Sequence, residues 1–211
     1  MAISENSYMN NYMTIDDFIL KYDHSNSVIL LEGKRNVLDS DKEKLFALGK
    51  LLTSKSSKMT FRSGNAEGAD QFFSEGVAMV DYKRLQVITP YTGHRQKTNK
   101  SYDSIALDEI DILSNPEVIY QSKSNKKTEN LIDRYVLGEN NRYTIKAAYI
   151  LRDTIKVMGA DDIKPATFAF FYDDLDDPKV GGTGHTMNVC EINEVPFCDQ
   201  SEWFGWVEES V

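Results

Sequence analysis

The feature that most constrains this chain is an alternation: short apolar runs, each leading into a glycine-bearing turn and then into an amphipathic helical stretch. Val28-Ile29-Leu30-Leu31 is a continuous apolar run of the kind buried on both faces of a parallel sheet. It empties into Glu32-Gly33-Lys34-Arg35-Asn36. Ser40 with Glu43 then makes a capping box, and Leu45, Leu48 and Leu52 follow at helical spacing. The unit repeats with a strand at Met59-Thr60-Phe61, a turn at Ser63-Gly64-Asn65, and a helix carrying Ala69, Phe72, Phe73, Gly76 and Val80. Leu85 to Ile88 is a third strand, closed by Thr89-Pro90.

Further along, a helix is expected over Tyr102–Leu113 and a short strand at Val118–Tyr120. Residues 121–141 are polar and charged and read as a surface insertion. Regularity returns with a helix from Arg142 to Met158 and a strand at Ala166–Tyr172. A helix near Thr186–Asn193, a strand at Val195–Cys198 and a packed aromatic tail (Trp203, Phe204, Trp206) complete the order. Ahead of it all stands an N-terminal arm to about residue 25, with a short helix over Thr14–Tyr22. Strands alternating with helices imply an α/β chain: one Rossmann-like, three-layer domain over residues 1–211 with a mainly parallel sheet.

Composition narrows the function classes. With 211 residues, 41% of them hydrophobic, the chain can bury one well-formed core. Its 24 basic residues face 33 acidic ones, a formal charge of −9. A surface that displaces counterions from nucleic acid is usually basic, so this balance sets nucleic acid aside as a partner, while a local basic pocket stays compatible with it. Cys190 and Cys198 lack the spacing of a structural zinc site and are expected to be reduced, buried thiols. The turn Asp173-Asp174-Leu175-Asp176-Asp177 lacks the spacing of a calcium loop, so no metal and no cofactor is expected. Met1 to Asn11 has no signal-peptide layout, and no run is long enough to span a bilayer; a cytoplasmic location without a membrane partner is the expectation.

In parallel sheets ligands bind beyond the carboxyl ends of the strands, which directs attention to the loops after Leu31, Phe61, Ile88 and Tyr172. In Ser63-Gly64-Asn65-Ala66-Glu67-Gly68-Ala69-Asp70, Gly64 allows a tight turn and Asn65 tolerates left-handed backbone. Asp70 either accepts a ribose hydroxyl or favours the helix start. Gly181-Gly182-Thr183-Gly184-His185-Thr186 offers consecutive backbone N–H groups, two hydroxyls and an imidazole, which suits an anion cradle as well as a free turn. Arg35, beside Gly33, is placed to pair with a phosphate. The loop His94 to Lys100 is the longest basic stretch near these turns and reads as a mobile loop or a cover over an anionic ligand.

These three loops, in this order, resemble the SLOG superfamily over roughly residues 28 to 200, and the Ser-Gly-x-Ala-x-Gly-Ala-Asp core carries the likeness most specifically. That group of Rossmann-like domains includes the lonely-guy phosphoribohydrolases, the DNA-processing protein A domain and nucleotide-sensing domains of bacterial defence proteins. The resemblance implies a ligand with phosphate and ribose held between the loops. It also implies a homo-oligomer, since relatives of the fold commonly pair through helices. The lonely-guy enzymes carry Pro-Gly-Gly-x-Gly-Thr-x-x-Glu with a catalytic glutamate and an upstream arginine. Here Val180 precedes the glycines, His185 replaces the threonine and Asn188 the glutamate. An amide cannot serve as the carboxylate, so the enzyme reading falls back on Arg95 and Glu191 as candidate catalytic residues.

The leading expectation is therefore a binder of a nucleotide-derived small molecule, acting as a sensor or sequestering protein. The alternative is an N-glycoside hydrolase or transferase acting on nucleoside phosphates. Single-stranded nucleic-acid binding ranks third, on the acidic balance.

Overall fold

The computed structural model describes residues 13–208. Six strands form its sheet: β1 (Val28–Gly33), β2 (Thr60–Ser63), β3 (Leu85–Thr89), β4 (Asp103–Ala106), β5 (Phe168–Tyr172) and β6 (Phe197–Cys198). Their order is β4-β3-β2-β1-β5-β6 and every pairing is parallel. The protein is thus an α/β fold of Rossmann-like, three-layer design.

The period-2 geometry of a strand sends alternate side chains to opposite faces. Ile29 and Leu31 of β1, with Phe168, Phe170 and Tyr172 of β5, enter one core. Leu30, Ala169 and Phe171 enter the other. The first core is closed by α1 (Ile15–Tyr22), α2 (Lys42–Lys55), α3 (Ala69–Asp81) and α8 (Gln200–Glu208). The opposite face is covered by α4 (Pro116–Ser122), α5 (Lys126–Val136), α6 (Ile145–Met158) and α7 (Gly181–Ile192). Thr14 and Asp17 form a capping box on α1, which sets Phe18 edge-on to Phe168 and Phe170. Trp203 is fully buried, and its indole N–H donates to the Phe171 carbonyl at 3.0 Å, so the aromatic tail is a helix docked on the sheet. The described helices include none long and apolar enough to cross a membrane.

Several elements differ from the sequence expectation. The helix expected over Tyr102–Leu113 is instead the edge strand β4 followed by two 3-10 turns. The strand expected at Val118–Tyr120 lies within α4, which opens with Pro116 at its first turn, where a missing N–H costs nothing. The insertion at residues 121–141 holds α5, capped by the Asn125 side chain and packed inward through Ile132. Asp41 takes the N-cap position of α2 with no side-chain bond, so the Ser40–Glu43 capping box is not formed. α7 starts at Gly181 rather than near Thr186, which places the glycine run in its first turn. The part of the N-terminal arm before Met13 lies outside the described residues.

Candidate functional site

The strand order turns back between β1 and β5, and the chain leaving their carboxyl ends opens a crevice there. One arm, about 500 Å³, runs over Gly33–Asn36, Ala66, Glu67 and the start of α7. A second, about 730 Å³, continues between α5, α6 and α7 past Lys126, Lys146 and Lys179. Tyr149, Asp153, Gly181 and Gly182 line both, so the two arms form one groove.

Buried charges make its floor. Lys156 Nζ lies 2.6 Å from Glu32 Oε2 and 2.9 Å from Asp153 Oδ1. Arg152 Nε stands 2.9 Å from that same Asp153 oxygen at an angle poor for a hydrogen bond, so the contact is chiefly electrostatic. The Thr186 hydroxyl donates to Glu32 Oε1 at 2.9 Å. Burial pushes the Glu32 carboxyl up to about 7, against the pull of Lys156. Burial acts on Asp153 in the same sense, but Arg152 and Lys156 outweigh it and hold that carboxyl below the ordinary range. Both acids contact Lys156, but Asp153 has a second cation beside it in Arg152, and Glu32 does not.

The sequence-predicted residues fall into three groups. Asp70 is buried, and its carboxylate accepts from the backbone N–H of Gly33 at 3.2 Å and of Gly64 at 3.0 Å, tying the first two loops together. Ser63 is buried, and its hydroxyl accepts from Asn65 N–H. Asn65 takes φ 53° and donates from its amide to the His94 carbonyl at 3.3 Å, which pins the 94–100 loop. Arg152 Nη1 donates to the Gly64 carbonyl at 2.6 Å. These residues build the crevice from beneath.

The second group faces the groove: Gly33, Arg35, Gly181, Gly182, Thr183, Gly184 and His185 line it. Gly181 sits at φ 72° with open space around its missing Cβ. Gly184 differs: a Cβ there would stand 2.0 Å from the Lys179 carbonyl, so close packing of the turn requires this glycine. Thr186 is turned inward to Glu32, and His185 Nε2 shares a 2.9 Å hydrogen bond with the Thr154 hydroxyl. Burial lowers the His185 pKa, although Asp153 acts to raise it.

The third group is the candidate catalytic pair, which the fold does not bring together in the groove. Arg95 is held by Glu67, just ahead of α3, at 3.1 Å and by Gln71 of α3 at 3.2 Å, and Glu191 pairs with Lys179. Neither lines the groove. Sequence reasoning missed Glu32, Arg152, Asp153, Lys156, Tyr149, Lys126 and Lys146. The cations at Lys126 and Lys146, each in the first turn of a helix, were the available signal.

Fold and site together define a Rossmann-like α/β protein with a charged groove at the carboxyl ends of its central strands. No family model and no curated protein matches the chain. Among solved structures it is similar to DNA processing protein A from Helicobacter pylori, described for its single-stranded DNA binding mode. The TM-score is 0.50 at 12% identity, and the match covers 83% of this chain and 65% of that one. The likeness is one of fold.

This comparison corrects two expectations: that the ligand is a nucleotide-derived small molecule, bound or hydrolysed, and that nucleic acid is set aside as a partner. The fold neighbour is a single-stranded DNA binder. Net charge averages over the whole surface, whereas a groove acts through its local field, so the balance of −9 does not by itself set nucleic acid aside.

Proposed function

We propose that the chain binds single-stranded nucleic acid along this groove. The observation that carries the reading is the groove's charge: Lys34, Arg35, Lys126, Lys146, Arg152, Lys156 and Lys179 line it against Glu32, Glu67, Asp70 and Asp153, in a chain of net charge −9. Three of those four carboxylates are buried in the floor, while Arg35, Lys126 and Lys146 are exposed. Lys34 is partly committed, lying 3.2 Å from Asp174. A phosphodiester strand tracked by such cations needs a sequence-tolerant surface for its bases, and the half-buried Tyr149 ring at the junction of the two arms supplies one. The N–H groups of the first turn of α7, unpaired within the helix, add donors where Gly181 and Gly182 leave the backbone open. The fold of the single-stranded DNA-binding neighbour supports the same assignment, as does the resemblance of the glycine-bearing loops to SLOG-type Rossmann-like domains.

The test is fluorescence anisotropy of a labelled single strand titrated with protein across a salt series. Lys126→Glu with Lys146→Glu is the informative variant. Both positions lie in first turns of helices, where a carboxylate favours the helix, so lost binding will not reflect unfolding. Affinity is expected to fall more than about tenfold, with the salt slope reduced by about two. A wild-type protein that shows no salt-dependent binding overturns the proposal.

A further inference from the structure

At the opposite end of the sheet, where the strands begin, lies a separate pocket of about 380 Å³ between β1, β2, β3 and β4. Arg62 lines it and is 1% exposed. Its guanidinium donates to two neutral acceptors, Gln86 Oε1 at 2.7 Å and the Lys156 carbonyl at 2.9 Å. Among the described residues no carboxylate lies within 4.0 Å of its nitrogens. Asp103 reaches it only through Gln86, whose amide donates to Asp103 Oδ2 at 2.6 Å. A buried cation without a direct anionic partner is costly, and the positive field it leaves at the pocket favours an anion.

The rim strengthens that field. Four cationic side chains (Arg62, Lys83, Arg84, Lys164) line the pocket against two carboxylates, Asp103 and Asp162. Arg84 is engaged with the Thr53 carbonyl, Ser56 and Asp81, and Lys164 donates to Asn26 Oδ1 at 3.1 Å. Lys83 is exposed, and its ammonium has no partner among the described residues. Tyr102 also lines the pocket, 67% exposed, with Tyr82 edge-on at 6.1 Å and 48% exposed. An exposed tyrosine pair beside free positive charge matches a phosphate carried next to a base, since every base has a face that stacks on an aromatic ring.

We infer that this amino-end pocket is a second contact for the same single strand, taking a backbone phosphate on Lys83 in the field of the buried Arg62 while a base stacks on Tyr102. The inference rests on the nucleic-acid reading above and adds a path to it. Strands of four to six residues separate the two sites by roughly 13–20 Å, so only a strand long enough to pass round the β4 edge reaches both.

Length therefore tests it. Binding is measured for oligonucleotides of about 5 and about 30 nucleotides, the shorter confined to one site. Lys83→Ala with Tyr102→Ala alters only exposed side chains and should weaken the long strand about five- to tenfold, lowering its salt slope by about one. Binding of the short strand should be unchanged. If the wild type binds and the variant leaves the long strand's affinity and slope intact, the second site is overturned while the groove reading stands. Equal weakening of both lengths also overturns it, because the short strand does not need this end. If the wild type binds neither length, both readings fall.

Discussion

Lys156 holds Glu32 through a 2.6 Å ion pair across 124 positions of sequence, and both side chains are buried beneath the groove. The pair sits in an unbalanced cluster. Glu32, Asp70 and Asp153 bring three carboxylates to a floor where Arg152 and Lys156 bring two cations. Such a cluster adds little net stability over an apolar core, but each member depends on the others.

Removing Lys156 should therefore be severe. Lys156→Met keeps the stem volume and leaves Glu32 and Asp153 buried on the remaining charge of Arg152. Breaking a buried pair from one side costs about 3–5 kcal/mol. Urea unfolding of the variant should show a loss in that range, and Glu32→Gln in the same background should recover part of it. A loss below about 1 kcal/mol would mean that water already screens the cluster.

The glycines of the two loops should separate by their surroundings. Gly68 has φ 84°, and a Cβ there would meet the Arg35 carbonyl carbon and oxygen at 2.6 and 2.1 Å. Gly181 has φ 72° with nothing within 4 Å. Gly68→Ala should cost more than about 2 kcal/mol because backbone must move, whereas Gly181→Ala should cost about 1 kcal/mol, the strain of a left-handed alanine alone. Melting temperatures of the two variants check the order, and similar values would show that the Arg35 loop yields freely.

That contrast marks where sequence reading succeeds. Val28–Leu31 and Phe168–Tyr172 are apolar on both faces, so their places at the centre of a parallel sheet were legible, and so were the loops that follow them. β4 was not: Asp103 and Ser104 are exposed on an edge strand, so the two-faced apolar signature is missing. In α4, the β-branched pair Val118-Ile119 imitates a strand, and only Pro116 after Asn115 gave the helix away. The floor of the groove was hidden for a different reason. Glu32 reads as the first polar residue of a loop and Lys156 as the solvated side of an amphipathic helix. Their partnership exists only after β1 and α6 are packed together.

Burial should silence both thiols. Cys190 is pushed up to about 12 and Cys198 is also raised, each chiefly by burial. The thiolate is the reactive form, so neither cysteine should be labelled by a thiol-specific reagent at neutral pH in the native protein. Labelling should appear only as the fold opens, at a rate that follows denaturant concentration. Rapid modification of one thiol in the absence of denaturant would show that α7 or β6 opens locally.

Glu32 should make stability depend on pH. Its carboxyl is raised from 4.5 to about 7 by burial, so the native state holds a proton that the unfolded chain releases first. Below about 4.5 both states are protonated at this site and the group costs nothing. As pH rises from there towards 7, the unfolded chain gains by ionising and the native state does not, so stability falls; above 7 the loss is complete. A shift of this size corresponds to a loss on the order of 3 kcal/mol. Glu32→Gln removes the proton exchange and should flatten the stability profile between pH 5 and pH 7, read as urea midpoints at matched ionic strength. The same proton bears on the groove. With Glu32 neutral, the floor's three carboxylates fall to two against two cations, so single-stranded nucleic acid should bind more tightly at pH 6 than at pH 8, and Glu32→Gln should remove most of that difference. An unchanged pH dependence in the variant would place the responsible group elsewhere, with His185 next to be tested.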